Sequence, residues 1–234
     1  MSDSQSTSII DLSPTHHALL FAWIAEALVT QIGLETAETA LRQAVRRYGE
    51  QRGHRMALRA QAAGDPLTMA TYLAYGEWQP PAGQAEQATQ VVGSDVRAVV
   101  QRCPWYDAWE AEGLLRAGRL YCLEIDQALA RGFAPALTLE VNAIRPIDNA
   151  SCEFVFRDGG QRPPNLASRR KVMPWDYHLG HLFHAIRRSL TAQLGAAGAD
   201  AAAAGLAEFS RWYGPEAAVL VQSFQETDFD MPAP

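Results

Sequence analysis

Long hydrophobic runs are missing from this chain of 234 residues. Nowhere do about 18 apolar residues follow one another, the length a helix needs to cross a bilayer. The polar, Ser-rich start MSDSQSTS lacks the charged and apolar regions of a secretion signal. A cytoplasmic protein with no membrane partner is therefore expected. Positive charge is not in excess either: the formal net charge is -6. Sequence-independent nucleic-acid binding needs a basic surface that releases phosphate counterions, so no nucleic-acid partner is expected. Cysteine is scarce. Cys103, Cys122 and Cys152 are an odd number without a C-x-x-C pair, which makes no disulfide framework and leaves thiols or metal ligands. There is no Gly-rich phosphate loop, no H-E-x-x-H and no G-x-S-x-G. Their absence argues against a nucleotide-binding doubly wound fold, a zinc protease of that type and the usual serine hydrolase.

What is present is ordinary globular composition, 48% apolar and 20% charged, in a chain long enough to bury a core. After a frayed start, Ser13 and Pro14 open a helix whose apolar residues recur at helical spacing until Gly33. A second helix is predicted from about Thr36, weakened at Gly49 and Gly53, and a third from Pro66. The stretch 79–90 reads as a Pro- and Gly-containing linker. DVRAVVQRC then alternates like a strand ending at Cys103. The segment after Pro104 reads as two short helices broken near Gly118 and closed by Gly132. LTLEVNAI and CEFVFR read as a hairpin across the turn-rich RPIDNAS. Residues 158–173 form a polar loop. A strong helix starts at Pro174, an alanine-rich helix follows, and the last segment is a helix or a strand. The expected fold is α+β, with N-terminal and C-terminal helices packed on a small antiparallel sheet. The division is residues 1–80, helical, and 81–234, α+β, joined in one domain.

Cys103 stands where a helix begins. Unpaired backbone N–H groups and the positive helix end lower a thiol pKa, which makes Cys103 a candidate nucleophile. Free cysteine is equally a small buried hydrophobe. Cys122 lies on a helix with Asp126 four residues on, and Cys152 opens a strand, so the three thiols are candidates for a three-cysteine zinc site. His178, His181 and His184 step by three on one helix. Neighbours share a face while the outer two diverge, so two can serve one site. An arginine-rich stretch, Arg46, Arg47, Arg52, Arg55 and Arg59, suits a small carboxylate, although a solvated helix face would look the same. His16 and His17 are expected at the surface. Alternation puts Glu140 and Asn142 on one strand face, where they are candidates to line a pocket with Glu77 and Asp107.

Taken in order, CPWYDAW, YCLEIDQALARGFAPALTLEV and SCEFVFR resemble the L-2-amino-thiazoline-4-carboxylic acid hydrolase family, which carries a Cys-Pro-Trp element, a Tyr-Cys before Ile-Asp, a Gly-Phe-x-Pro turn and a Cys-x-Phe strand. YGEQRGHRMALRAQAAG, YLAYGEW and YHLGHLF extend the likeness over most of the chain from about residue 40. The resemblance implies a hydrolase that opens a C–N bond in a small cyclic amidine or amide. Cys103 or a divalent metal would then supply the attacking group. His178 or His181 would be the general acid/base, with Asp126 orienting a partner. Trp105, Tyr106, Trp109, Glu140, Asn142 and Arg55 would bind a substrate that carries a carboxylate. The turn and Cys-x-Phe strand also resemble vinyl-reductase-type small-molecule-binding domains, which keeps a sensor or binding module without turnover as the alternative. A homo-oligomer with purely structural cysteines is the third reading.

Overall fold

Two glycines decide how the helical layer is assembled. The sequence suggests that Gly49 and Gly53 weaken the second helix, yet α2 (Leu34–Ala62) runs through both without a break. The cause is α6 (Ile125–Phe133), which crosses α2 at backbone contact. A Cβ on Gly53 would lie 2.6 Å from the Phe133 nitrogen, and one on Gly132 would lie 2.6 Å from the Glu50 Cα. Each helical glycine costs about 1 kcal/mol in propensity. Here the close approach it permits outweighs that loss, because nothing larger fits.

The computed structural model describes residues 11–79, 81–148, 150–161, 166 and 169–233. The polar start and part of the loop 158–173 lie outside them. α1 (Pro14–Ile32) begins after Ser13 and ends at Gly33, whose φ of 82° is open to glycine. Its buried residues Leu20, Ile24 and Leu28 recur at helical spacing. They give α1 an apolar face against α9 (Ala196–Tyr213), where Gly205 lies directly on Ile24. α3 (Met69–Ala74) is shorter than expected and starts beyond Pro66, because the Thr68 hydroxyl accepts the Thr71 N–H and caps it there. α8 (Trp175–Leu194) follows Pro174 as expected, and the last segment is a helix, α10 (Pro215–Gln222). None of the described helices is long and apolar enough to cross a membrane.

Between Pro104 and Phe133 there are three helices instead of two: α4 (Pro104–Ala111), α5 (Leu115–Cys122) and α6. The first break falls at Gly113, φ 69°. Gly118 sits inside α5, where the Trp109 ring leaves no room for a side chain. The strands are β1 (Glu86–Val92), β2 (Asp95–Arg102), β3 (Leu139–Ala143) and β4 (Cys152–Phe156), antiparallel in the order β1-β2-β4-β3. A short helix α7 (Arg145–Asp148) lies in the connection from β3 to β4. The linker expected at 79–90 therefore contains most of β1. All seven residues of that strand are exposed, so it shows no apolar alternation, and pairing with β2 alone holds it in the sheet. The fold is α+β, with helices at both ends of the chain and a small four-stranded antiparallel sheet.

Candidate active site

A cavity of about 370 Å³ lies between one face of the sheet and the helices. The register pairs Leu139 with Phe156 and Val141 with Phe154, so Phe154 and Phe156 face the helices. With Ala98, Val100 and Cys152 they form one wall. The facing wall comes from Arg52 and Met56 of α2, Tyr72, Glu77 and Trp78, then Cys103, Trp105, Tyr121, Cys122 and Asp126. Arg102 and Arg170, both exposed, complete the lining. The walls are mostly apolar and aromatic, with a few convergent polar groups, the ordinary make-up of a small-molecule site.

Cys103 is the N-cap position of α4, as the sequence suggests, and the backbone N–H groups of Tyr106 and Trp105 act on its thiol. Those N–H groups do not win. Burial pushes the Cys103 thiol up to about 11, and Cys152 and Asp126 add to the rise. The expectation of a lowered thiol pKa is thus corrected: burial keeps the thiol neutral near pH 7. Asp126 opposes it with a carboxyl that burial lifts to about 6, against the pull of Arg52. Cys122 is raised well above its usual value by burial, with Cys103, Asp126 and Cys152 adding to it. The three thiols do meet in one cavity. Among the described residues, however, no three His, Cys, Asp or Glu groups are arranged to hold a metal ion. The placement therefore does not fit a three-cysteine zinc site.

Behind the helical wall lies a buried ionic cluster. Arg55 donates twice to Glu77, at 3.2 and 2.9 Å, and once to the Phe229 carbonyl at 2.6 Å. Burial would raise the Glu77 carboxyl, but Arg55 and then Arg52 hold it below its ordinary value. Arg52 reaches Glu77 only at 3.7 Å, its Nε has no hydrogen-bond partner among the described residues, and the side chain is buried. One carboxylate thus serves two guanidiniums, and the less well paired of the two faces the cavity. Arg52, rather than Arg55, is the buried cation that lines the cavity.

His178 and His181 belong to this cluster and are not among the residues of the cavity wall. His181 accepts from Arg55 at Nδ1, 3.3 Å, so its Nε2–H donates to Gln51 at 3.1 Å. His178 donates through Nε2 to the Glu77 carbonyl oxygen at 3.2 Å. Burial holds His178 down to about 3, with Arg52 adding to the effect, and it holds His181 well below the usual range. Both imidazoles are therefore neutral near pH 7, and neither is among the residues that line the cavity. His17, expected at the surface, is fully buried. It accepts from the Trp105 indole at 3.0 Å and bonds Tyr48 at 3.0 Å, so it fixes the aromatic wall beside Cys103.

Other expected site residues are displaced. Trp109 is core, its indole donating to the Ala18 carbonyl at 2.9 Å. Tyr106 donates to Glu110 and carries the Arg145 guanidinium 3.9 Å over its ring, outside the cavity wall. Glu140 is taken up by Arg157 on the far face of the sheet, and Asn142 is exposed. The alternation was legible there, but not which face met the helices. Asp107, paired with Arg102 at 3.2 Å and 3.5 Å from Arg145, is likewise outside the wall. Arg52 was one of five arginines in its stretch, and only the fold separates it from the other four.

A family model described as L-2-amino-thiazoline-4-carboxylic acid hydrolase matches residues 15–156, more than half of the chain. The chain belongs to this family. The part matched to the L-2-amino-thiazoline-4-carboxylic acid hydrolase family carries Arg52, Glu77, Cys103, Asp126 and Cys152, while the α8 histidines lie beyond it. No curated protein and no solved structure matches the chain.

Proposed function

We propose that this chain hydrolyses a small cyclic amidine bearing a carboxylate, the compound class in its family's name, inside the cavity between sheet and helices. The observation that carries the reading is the convergence of Cys103, Asp126 and the incompletely paired Arg52 on one cavity. Arg52, which lines the cavity, takes the substrate carboxylate through a charge-assisted contact. Near neutral pH Asp126 is a carboxylate and attracts the cationic amidine. That cation, held beside Cys103, lowers the thiol from its resting value near 11, so the substrate itself activates the nucleophile.

The thiol proton passes to Asp126 as sulfur bonds to the amidine carbon. A ring bond of that carbon then breaks, and its leaving heteroatom takes the proton from Asp126. Water attacks the same carbon, Asp126 accepts a proton from it, and the Cys103 sulfur leaves and recovers the proton. The sum is addition of one water. Trp105 and Trp78, T-shaped at 4.8 Å between ring centroids, wall the site against bulk solvent.

The test is mass spectrometry of L-2-amino-thiazoline-4-carboxylate incubated with the purified protein. A product heavier by one water, formed by the wild type and not by Cys103→Ser, is expected. An active Cys103→Ser protein refutes the thiol route. One observation favours binding without turnover, namely the neutral thiol in an apolar cavity. On that reading the compound raises the melting temperature and is recovered unchanged.

A further inference from the structure

The third histidine of the α8 run turns away from the other two, as steps of three residues require, and opens on a different cavity. This cavity, about 450 Å³, is lined by His184, Arg187, Arg188, Thr191, Ala192 and Gln225. Positions 184, 187, 188 and 191 recur at helical spacing and so present one face. His184 is 3% exposed, and its Nε2 is buried without a hydrogen-bond partner among the described residues. The ring also meets the backbone carbonyls of Val221 and Gln222 at the end of α10, which favour its protonated form.

The charges are one-sided. Arg42, Arg46, Arg116 and Arg157 each pair with carboxylates. Arg187 and Arg188 have no carboxylate partner among the described residues, and Arg188 spends one N–H on the Gln225 carbonyl at 2.9 Å. The acid that follows, Glu226, accepts from the Gln225 amide at 3.1 Å. A buried imidazole and two exposed guanidiniums without a carboxylate partner among the described residues thus line one concavity of a chain whose net charge is -6.

We propose that this second cavity binds a phosphate-type oxyanion, at a site separate from the Cys103 cavity. A tetrahedral oxyanion offers oxygens in several directions, which the two forked guanidiniums, the Thr191 hydroxyl and the imidazole can all use. A planar carboxylate satisfies fewer of them. The volume exceeds that of inorganic phosphate, so there is room for the remainder of a phosphorylated metabolite. Burial, with Arg188 and Arg187 adding to it, holds the His184 imidazole below its ordinary pKa, against the pull of the Val221 and Gln222 carbonyls. A bound oxyanion reverses that balance, and His184 takes up a proton as it binds. The groups that act on the ring are Arg187 and Arg188 on its own helix and, from α10, the Val221 and Gln222 carbonyls.

The experiment is isothermal calorimetry of the full chain with inorganic phosphate, with glycerol 3-phosphate and with sulfate. The expected result is saturable binding that weakens by roughly tenfold or more in Arg187→Gln/Arg188→Gln, with turnover in the Cys103 cavity unchanged. Sulfate, which does not titrate in this range, should bind more tightly at pH 6 than at pH 8, with proton uptake in buffers of different ionisation heat. Tighter binding of glycerol 3-phosphate than of phosphate marks the ligand as a phosphorylated metabolite, and equal binding marks it as the free ion. Absence of saturable binding overturns the proposal. So does binding that the double variant leaves intact, since that places the anion elsewhere, as at Arg52.

Discussion

Replacing Asp126 by Asn should make the protein inactive and more stable at once, with the gain in stability confined to one pH range. The carboxyl is lifted from 3.8 to about 6 by burial in the cavity wall. At 1.36 kcal/mol per pKa unit, that rise corresponds to about 3 kcal/mol between the two protonation states. The sign follows from proton counts. Between pH 3.8 and about 6 the native state holds a proton that the unfolded chain has released, so native stability falls as the pH rises through this window. Above it the full amount is lost; below it both states are protonated and nothing is lost. Asn keeps the shape without the charge and escapes the loss. Urea denaturation of wild type and Asp126→Asn from pH 4 to pH 8 should therefore converge at the acid end and separate by about 3 kcal/mol at neutral pH. For a domain of this size that is roughly 6 to 12 °C in melting temperature. Turnover should vanish in the same variant, and wild-type activity should fall as acid protonates Asp126 near pH 6. A variant no more stable than wild type at pH 8 would refute the reasoning, because the carboxyl would then not be desolvated.

The remaining expectations are separable from that one. Cys103→Ser should remove turnover with little change in denaturation midpoint, while Cys122→Ser and Cys152→Ser keep turnover; in the free enzyme, alkylation of Cys103 should speed up only as the pH approaches about 11. Arg52→Met should raise KM for carboxylate substrates by roughly 10- to 100-fold with a smaller effect on kcat, and equal losses in both would place Arg52 outside ground-state binding. Gly53→Ala should cost about 3 kcal/mol of stability, since the new methyl meets the backbone of α6, and a neutral result would show that α2 and α6 do not cross at contact. His181→Gln should lose roughly 1 to 3 kcal/mol by unpairing Arg55 and Gln51 yet leave the acid limb of the pH–rate profile in place. A displaced limb would return that imidazole to the chemistry.

The local elements were legible in the sequence because their causes are local. Pro14, Pro104 and Pro174 mark helix starts through their fixed φ and missing N–H, and the β-branched alternation of β2 and the hairpin strands reports one buried face. The order of motifs around Cys103, Cys122 and Cys152 pointed to the family for the same reason. β1 was not legible, since a strand with every residue exposed carries no alternation and exists only through its neighbour's hydrogen bonds. What the tertiary structure alone decided is which polar groups share an environment. Periodicity shows that Glu140 and Leu139 point opposite ways, but not which side the helices cover. It groups five arginines without showing that Arg55 saturates Glu77 and leaves Arg52 to face the cavity. Nor does it show that His178 and His181 lie behind the wall while Asp126 lies in it. Ionisation depends on water excluded and charges met through space, and those are set by segments far apart in the chain. The helix end at Cys103 was visible in sequence; the burial that outweighs it, and lifts the thiol instead of lowering it, was not.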